Sequence, residues 1–257
     1  MADLDLSLAL DVARRAVAAA GAAAMRHFHT DLAVETKPDR SPVTAADRDA
    51  EARILEIVRA AFPAHAILTE ESGVHAGSAE TRWIVDPLDG TRGFSRGGTF
   101  WGPLVACEDR GEIVAGAMAL PALGTTYFAA RGLGAFRDDV RLRVSSVSDW
   151  SESTLQLGEI KALLGAPWGT GVLDLVRSAA STRGFGDLAG CAAVLDGRAE
   201  AWLEAGCQIW DLAPHRILVE EAGGRFTDFE GRDSIATGRA VATNGHVHAH
   251  VLGAIRS

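Results

Sequence analysis

The stretch Trp83-Ile84-Val85-Asp86-Pro87-Leu88-Asp89-Gly90-Thr91 joins a short apolar run to two acidic residues and a glycine. The apolar triplet predicts a buried strand that ends at Val85, and Gly90-Thr91 can open a helix. In α/β architectures, functional sites are built at the carboxyl ends of strands, and the free N–H groups of a helix start can hold a phosphate. A simple turn is the other interpretation at this point, because Asp, Pro and Gly all favour turns.

A second acidic pair follows another predicted strand. Ile67-Leu68-Thr69 runs directly into Glu70-Glu71, so this strand also ends in carboxylates. Hard oxygen ligands without nearby sulfur suit Mg²⁺ or Mn²⁺. Together, the two strand ends predict a metal site built from carboxylates.

A third acidic position lies far along the chain, in Trp210-Asp211-Leu212-Ala213-Pro214. The segment predicts that Asp211 starts a helix, where an N-cap is its ordinary role. Pro214 would then occupy the third helical position and has no N–H to donate, which leaves only Ala213 for the Asp211 side chain to satisfy. A metal-ligand role for Asp211 is therefore an equal alternative to the cap.

The first half of the chain predicts two helices followed by strands. Apolar residues from Leu6 to Phe28 recur every three or four positions, as in one long amphipathic helix. Thr44-Ala45-Ala46-Asp47 resembles a capping box that starts a second helix. Asp109-Arg110-Gly111 predicts a hairpin turn. Short apolar runs predict strands at residues 66–68, 83–85, 102–107, 113–120 and 125–129.

The second half alternates predicted helices with predicted strands, which is an α/β pattern after an α+β one. Gly223-Gly224 predicts a helix stop. We expect an α+β lobe over residues 1–140, carrying most metal ligands, and an α/β lobe over residues 141–257, with the boundary near 138–150. No flexible linker separates them, so the lobes should pack as one rigid unit. The helices fall at residues 173–180, 188–196, 212–222 and 247–255, and the strands at 199–203, 225–227 and 240–243.

The composition indicates a globular protein and narrows its partners. The 257 residues are 47% hydrophobic, the mean hydropathy is +0.09 and the net charge is −9. A nucleic-acid backbone or an anionic membrane surface requires a basic face, so neither is the expected partner. No apolar run is long enough to span a membrane, and the first residues are acidic where a secretory signal would be basic. We therefore expect a cytoplasmic protein.

Cysteine and histidine residues do not predict a further metal site. The cysteines are odd in number and far apart, which indicates inert thiols: Cys107, Cys191 and Cys207. The histidines His246, His248 and His250 alternate near the C-terminus. On or before a terminal helix, this spacing would put them on different faces, which disfavours a shared metal.

Four of these segments together resemble one protein family. They are the capping box with Asp47, the Glu70-Glu71-Ser72 strand end, residues 83–91, and Trp210-Asp211 followed by Glu221-Ala222-Gly223-Gly224. In this order they resemble the inositol monophosphatase family, over about residues 8–252. The resemblance implies a layered αβαβα sugar-phosphatase fold, Mg²⁺-dependent hydrolysis of small phosphate monoesters, and commonly a homodimer.

The resemblance also implies the metal ligands. Two or three Mg²⁺ ions would bind in one site, and Mn²⁺ could replace them. The ligands of the first ion would be Glu70, Asp86 and the Leu88 carbonyl. Those of the second would be Asp86, Asp89 and Asp211, and Glu70 with waters would hold a weaker third ion.

The catalytic residues implied by the resemblance are Asp47, Thr91 and Glu70. Thr91 and Asp47 would orient and deprotonate the attacking water, and the backbone at Gly90-Thr91 would hold the phosphate. No side chain would be phosphorylated, since bound metals activate water and stabilise the leaving oxygen. Lys37 and Glu71 are further candidates near the site, although a solvated loop residue is the ordinary interpretation of Lys37.

Two segments resemble the histidinol-phosphatase branch of the family: Phe94-Ser95-Arg96-Gly97 and the turn Arg183-Gly184-Phe185-Gly186-Asp187. In this branch we expect Gly186, Asp187, Glu204 and Asp211 to face the substrate. Asp187 and Glu204 would offer negative charge to a cationic aminoalcohol such as histidinol, which a neutral polyol does not need. A helix N-cap is the other interpretation of Asp187. Leu188, Ala189 and Pro214-His215 depart from the usual pattern of the branch.

The expected reaction is the hydrolysis of histidinol phosphate to histidinol and phosphate, and three other functions stay open. A haloacid-dehalogenase-type phosphatase needs two aspartates two positions apart, whereas Asp86 and Asp89 are three apart. A catalytically silent homologue would bind metal and phosphorylated ligands without turnover, although all the expected ligands are present. The same chemistry could also act on an inositol phosphate or another sugar or nucleotide phosphate.

Overall fold

The computed structural model describes residues 4–30, 35–36, 42–77, 80–165 and 167–256. None of the helices in these ranges is long and apolar enough to cross a membrane. Short 3₁₀ turns cover Pro121–Leu123 and Trp150–Glu152. The α-helices of the described ranges are α1 Leu6–Met25, α2 Ala45–Ala61, α3 Thr91–Phe94, α4 Ile160–Leu163, α5 Gly169–Ser178, α6 Asp187–Leu195, α7 Ile209–Glu221 and α8 His248–Ile255.

A large eight-stranded sheet dominates the first half of the chain. It is preceded by a two-stranded ribbon of β1 Glu35–Thr36 and β2 Pro42–Val43. The strands of the large sheet are β3 Ala66–Thr69, β4 Gly73–His75, β5 Thr81–Asp89, β6 Gly102–Asp109, β7 Glu112–Leu120, β8 Thr125–Ala130, β9 Gly134–Arg137 and β10 Val140–Arg141. They lie in the order β10-β9-β8-β7-β6-β5-β3-β4. Neighbours are antiparallel except for β3 and β5, whose carboxyl ends therefore meet at one edge.

A smaller five-stranded sheet forms in the second half of the chain. Its strands are β11 Thr154–Leu157, β12 Ser181–Arg183, β13 Ala201–Ala205, β14 Arg225–Thr227 and β15 Arg239–Thr243. The order is β12-β11-β13-β15-β14, and β11 is parallel to both of its neighbours. The carboxyl ends of β11 and β13 therefore lie side by side.

Helices and sheets alternate in layers. One face of the large sheet is covered by α1 and α2, where Val12, Ile54 and Trp83 are buried. The space between the two sheets is filled by α6 and α7, with Leu188 and Leu218 in one core with residues of both sheets. The outer face of the small sheet is covered by α5 and α8. This is the layered αβαβα arrangement that the sequence resemblance implies.

Most elements predicted from the apolar pattern are present with shifted ends. The predicted strands correspond to β3, β5, β6, β7, β8, β13, β14 and β15. The capping box is confirmed, because the Thr44 and Asp47 side chains both bond to the backbone at the start of α2. The hairpin turn is also confirmed: Arg110 and Gly111 have φ of 50° and 83°, as a type I′ turn requires. The prediction missed short strands with a weak apolar pattern, including β11.

The two sheets lie on either side of the expected lobe boundary. The large sheet ends at Arg141, and the small sheet begins at Thr154. Helix α7 belongs to the second half of the chain but packs on β7 and β6 of the large sheet. The division into lobes at residues 140 and 141, and their rigidity, stay predictions.

Gly116 on β7 sets how closely α7 packs on the large sheet. A Cβ at this position would lie 2.8 Å from Ile217 Cγ2 and 3.1 Å from the Pro214 Cα, so Gly116→Ala must displace α7. We expect the free energy of unfolding to fall by about 1–3 kcal/mol, measured by urea denaturation. The control is Gly253→Ala on α8, where a Cβ meets nothing within 4 Å. Alanine is the better helix former, so the control should be as stable as the parent or up to about 1 kcal/mol more stable. Equal stability of the two variants would contradict this view of the packing.

Candidate active site

A cavity of about 720 Å³ lies where the end of β5, the end of β13 and the starts of α6 and α7 meet. Both halves of the chain contribute to its wall. The predicted site residues that line it are Glu70, Asp86, Leu88, Asp89, Gly90, Thr91, Gly186, Asp187, Glu204 and Asp211. The structure therefore brings together most residues that the sequence singled out.

Three carboxylates form the centre of this cavity. One side-chain oxygen from each of Asp86, Asp89 and Asp211 lies within 4.8 Å of the other two. Asp86 is buried, with 2% of its surface exposed, and the other two are partly buried. Three carboxylates at this separation can share one cation, because a divalent ion takes oxygen ligands from several side chains.

A β-bulge explains how Asp86 and Asp89 reach the same side of β5. The prediction that the strand ends at Val85 is wrong, because β5 continues through Asp89. Asp86 pairs with Leu104 and Asp89 pairs with Gly102, so β5 has one residue more than β6 in this interval. Residues three apart on a regular strand face opposite sides, and the extra residue restores a common side. Pro87 is tolerated within the strand because it lies in this bulge.

Glu70 reaches the cavity through the parallel pairing of β3 and β5. Thr69 pairs with Val85, and the Glu70 N–H donates to the Val85 carbonyl at 3.1 Å. The next residue on each strand is therefore a carboxylate, Glu70 on one and Asp86 on the other. Glu71 is partly buried and does not line the cavity. Lys37 lies outside the described residues.

Asp211 is the third residue of α7 rather than its N-cap. The helix begins at Ile209 with Gln208 as the cap, so the prediction that Asp211 starts the helix is wrong. The Asp211 Oδ2 accepts a 2.8 Å hydrogen bond from the Gln208 N–H, as the acidic member of a capping box does. This bond uses one oxygen and fixes the carboxylate, so capping and metal binding are compatible. Pro214 then lies inside the helix and packs against β7.

Asp86, Asp89 and Asp211 hold their protons more tightly than free side chains do. Burial raises the pKa of Asp86 well above its usual range, and the charges of Glu70, Asp89 and Asp211 raise it further. Loss of hydration, together with the neighbouring charge of Asp211, likewise raises the pKa of Asp89. Burial raises the pKa of Asp211 to about 6. Such mutual repulsion is what a bound divalent cation relieves, so the donor set fits a hard metal ion.

Thr91 and Asp47 form a hydrogen-bonded pair beside the three clustered aspartates. The Thr91 hydroxyl lies 3.2 Å from Asp47 Oδ1 and 3.0 Å from the Leu88 carbonyl oxygen, and either oxygen can accept its single proton. Asp47 Oδ2 accepts 2.7 Å bonds from the Thr44 N–H and hydroxyl, so the carboxylate is fixed. Asp47 is 1% exposed, and burial raises its pKa. A fixed base with a raised pKa suits proton abstraction near neutral pH.

Gly90 lies between Asp89, one of the three clustered carboxylates, and the first residue of α3. Its φ of 81° is left-handed and favours glycine, and it caps the helix that starts at Thr91. A Cβ at Gly90 would also lie 3.2 Å from the Asp187 Oδ2. The glycine therefore allows both the turn and the close approach of Asp187 to the site.

Asp187 is the first residue of α6, and Gly186 is its N-cap, so the N-cap interpretation of Asp187 is wrong. Its φ of 41° is unusual for a residue with a side chain, and such backbone strain is concentrated at functional sites. Burial raises the pKa of Asp187, and the charge of Glu159 raises it further. Asp187 therefore lies at the cavity wall with a second acidic group nearby.

Glu204 is a buried carboxylate at the carboxyl end of β13. Its Oε1 accepts hydrogen bonds from the Glu159 N–H at 2.7 Å and the Ala205 N–H at 3.0 Å. Burial raises its pKa to about 7 even though these two donors lower it. A Cβ at Gly158 would lie 1.6 Å from Glu204 Oε2, so only glycine leaves room for this carboxylate.

Glu159 also lines the cavity and was missed in the sequence. It follows β11, whose Thr154-Leu155-Gln156-Leu157 alternates polar and apolar residues. Glu159 is the second residue after β11, with Gly158 between them, so looking for carboxylates just beyond a strand end would identify it once β11 is recognised. The strand is only four residues long, which is why its pattern is weak.

The cysteines and histidines take different positions. Burial raises the pKa of the Cys107, Cys191 and Cys207 thiols, which agrees with inert thiols, although Cys207 lines the cavity. His248 is buried and hydrogen-bonded to the hydroxyls of Thr227 and Thr243 at 3.0 Å. The expectation that the three alternating histidines face apart is wrong for two of them, because His246 and His250 line one separate cavity of about 550 Å³.

Comparisons with known proteins identify the family of this chain. The model of the inositol monophosphatase family matches residues 5–257. Histidinol-phosphatase of Chlorobaculum parvum is 38% identical over 98% of this chain and 96% of its own length. Inositol-1-monophosphatase of Mesorhizobium japonicum is 34% identical over 97% of each chain. The crystal structure of the extragenic suppressor protein SuhB from Bartonella henselae superposes with a TM-score of 0.89, 31% identity and 98% coverage of both chains.

Relatives of this chain are named as phosphatases, and its acidic cavity has carboxylates that could hold a metal ion. The chain is therefore a phosphoric monoester hydrolase of a metal-dependent family. The chain belongs to the inositol monophosphatase family.

The raised pKa values predict how a divalent cation held by these carboxylates would stabilise the protein at different pH, and Mg²⁺ serves as the test ion. In metal-free protein, Asp211 and Glu204 contribute stability that is full below their ordinary pKa values of 3.8 and 4.5 and is lost as pH rises through about 6 and 7. Mg²⁺ must displace protons at low pH but binds ionised carboxylates at high pH. The rise in melting temperature between EDTA and Mg²⁺ should therefore be small at about pH 5 and large at about pH 8. A rise of equal size at both pH values would contradict the prediction that protonation of these carboxylates weakens metal binding.

Proposed function

We propose that this protein is a Mg²⁺-dependent phosphatase whose substrate is histidinol phosphate. The observation that carries this proposal is one cavity with two separate acidic sets. The first set has metal-type carboxylates: Glu70, Asp86, Asp89 and Asp211. The second set lies on the other walls and has no place in the implied metal site: Glu159, Asp187 and Glu204.

The first acidic set and the Leu88 carbonyl would hold the metal ions. When bound, the ions supply Lewis-acid chemistry, which lowers the pKa of water and neutralises phosphate oxygens. Mg²⁺ is the ion we propose, with Mn²⁺ as a substitute, because every donor is a hard oxygen. The number of ions that we propose, two or three, is the number that the resemblance to the family implies.

Thr91 and Asp47 would position and deprotonate the attacking water. The Thr91 hydroxyl can accept a hydrogen bond from the water while it donates to Asp47, which is held by Thr44. The water oxygen bonds to phosphorus as the bond to the ester oxygen breaks, and the leaving oxygen takes up a proton. The sum is ester plus water to alcohol plus phosphate, with no phosphorylated side chain. Backbone N–H groups at Gly90-Thr91 would hold the phosphate.

The second acidic set would recognise the alcohol half of the ester. Histidinol carries a cationic amine, and carboxylates in a partly buried cavity bind an ammonium group well. Burial raises the pKa of both Asp187 and Glu204, and neighbouring carboxylates raise them further, so a bound cation would stabilise their ionised forms. A neutral polyol would leave these charges unpaired, which disfavours it. The similarity to histidinol-phosphatase supports the same substrate.

An inositol phosphate is the second candidate substrate. The similarity to an inositol-1-monophosphatase favours it, since that relative has nearly the same coverage and only slightly lower identity. Turnover of histidinol phosphate, inositol 1-phosphate and 3′-phosphoadenosine 5′-phosphate should be compared at equal Mg²⁺. We expect the highest kcat/KM for histidinol phosphate. A higher kcat/KM for either of the other two esters would refute histidinol phosphate as the substrate. No turnover of any of the three esters would refute the phosphatase activity.

Removing one charge from the metal set should abolish activity without unfolding the protein. Asp89→Asn and Asp211→Asn each keep the side-chain shape but lose a charge that attracts the metal. We expect kcat/KM to fall by more than about 100-fold, and Mg²⁺ to stabilise the variants much less than the parent. The control is Asp139→Asn at an exposed position, which should keep parental activity. Activity of either active-site variant close to that of the control would refute the metal assignment.

Asp187→Asn tests the cationic substrate. Asparagine tolerates the left-handed backbone at this position better than alanine does, so the substitution changes charge more than conformation. We expect KM for histidinol phosphate to rise about tenfold, with a smaller rise for inositol 1-phosphate. The exposed control Glu152→Gln should change neither KM. Equal effects of Asp187→Asn on both esters would argue against charge recognition.

A further inference from the structure

One positively charged side chain lies in the wall of the acidic cavity. Among the described residues that line the cavity, Arg92 is the only arginine or lysine. His215 also lines it, but burial lowers the pKa of this imidazole to about 3, so the ring is neutral near neutral pH. Seven carboxylates line the same cavity: Glu70, Asp86, Asp89, Glu159, Asp187, Glu204 and Asp211. A phosphate ester is an anion, so a wall of this composition repels it except at Arg92.

The short helix α3, which carries Arg92, is held on both sides of this residue. The Thr91 hydroxyl lies 3.2 Å from Asp47 Oδ1. Phe94 is 2% exposed and packs edge to face on Trp101, with ring centroids 4.6 Å apart. The backbone of Arg92 therefore has a fixed place at the cavity, and its exposed side chain extends from a rigid base.

Arg92 and Asp187 lie on different faces of α3. A Cβ at Gly90 would lie 3.2 Å from Asp187 Oδ2, and a Cβ at Gly93 would lie 3.5 Å from the same atom. These two glycines are three residues apart, so they share the face of the turn that meets the carboxylate. Arg92 projects from another face, because successive helical residues differ by about 100°. The α3 turn therefore separates the positive charge from the acidic wall that would bind the amine.

The chemistry of a guanidinium group suits a phosphate better than any other part of this cavity's substrate. Its planar fork of five N–H donors matches phosphate oxygens in pairs, and it can serve more than one acceptor. Arg92 directly follows Gly90-Thr91, whose backbone N–H groups would hold the phosphate in the proposed function. The side chain of Arg92 is therefore close to the anionic half of the ester and away from the cationic half.

We propose that Arg92 binds a non-bridging phosphate oxygen of the ester and so guides the anion into a cavity that otherwise repels it. The inference rests on the phosphate site of the proposed function and does not depend on the alcohol. The same contact would hold the phosphate product. Because Arg92 is exposed, solvent and salt screen the interaction, so it contributes to binding without being essential. An interaction of equal strength in the ground state and the transition state changes KM and leaves kcat alone.

The test measures inhibition by inorganic phosphate, the product that all the esters share. Arg92→Gln removes the charge and keeps a polar side chain. We expect Ki for phosphate, and KM for both histidinol phosphate and glycerol 2-phosphate, to rise about five- to tenfold, with kcat changed less than about twofold. A rise confined to histidinol phosphate would overturn the inference, because it would place Arg92 at the alcohol.

Arg96→Gln is the matched control for the loss of charge. Arg96 is exposed on the same segment but does not line the cavity, and its replacement should leave Ki for phosphate at the parental value. Equal Ki values in the two glutamine variants would show that only the overall field of the protein matters and would overturn the inference. Arg92→Lys keeps the charge and should recover part of the affinity. A Ki in Arg92→Lys as high as in Arg92→Gln would also contradict charge recognition.

The response to Mg²⁺ separates this role from a structural or metal-binding one. Arg92→Gln removes no metal ligand, so Mg²⁺ alone should raise its melting temperature at least as much as it raises that of the parent. Loss of this rise would overturn the inference, because the higher Ki would then follow from a damaged metal site.

A measurement on the unsubstituted protein does not depend on the variants. With Mg²⁺ present, saturating inorganic phosphate should shift the ¹⁵N resonance of Arg92 Nε and leave that of Arg96 Nε unchanged. Equal shifts, or no shift at Arg92, would overturn the inference. Failure of the proposed function has a different signature, since no ester would then be hydrolysed, whereas the phosphate titration would still report on Arg92.

Discussion

The repulsion between Asp86, Asp89 and Asp211 is the constraint on which the rest of the structure depends. Their oxygens lie within 4.8 Å of one another, where loss of hydration and like charge both disfavour ionisation. The fold must hold them there while no metal is bound. It does so with rigid devices: a bulge in a central strand for two of them, and a capping hydrogen bond at a helix start for the third. The raised pKa values are the consequence, and a bound divalent cation would relieve the repulsion.

Close packing between the sheets and the intervening helices brings these groups together. Glycine makes room at two contacts of this kind, Gly116 beneath α7 and Gly190 against Trp202, and Gly158 makes room for Glu204 within the small sheet. At each of them a Cβ would collide with a neighbouring atom. Because α7 and β13 carry Asp211 and Glu204, the distance between helix layer and sheets sets the size of the cavity. Packing of the helix layer against the sheets therefore controls how the cavity is assembled.

The sequence predicted those parts of the site that depend on local pattern. Asp86, Asp89 and Glu70 follow apolar strands, and family motifs supply Asp47, Thr91 and Asp211. The β5 bulge could not be predicted, because pairing across strands is decided by neighbours distant in sequence. The true start of α7 was missed because its cap, Gln208, is not one of the usual N-cap residues. Glu159 was missed because β11 is short. His215 was noticed only as a departure from pattern, since its burial arises from tertiary packing. The homodimer and the cytoplasmic location stay predictions.

Specificity in such a cavity follows from what each wall leaves unpaired when the wrong ester binds. In the proposed function, the metal set would bind the phosphate that all candidate esters share, so it would not discriminate among them. Asp187 and Glu204 would penalise an alcohol without positive charge. A penalty from unpaired buried groups discriminates more strongly than an added apolar contact does. Such a penalty would require an alcohol that carries a positive charge close to the phosphate, which is a narrower demand than the phosphatase chemistry itself makes.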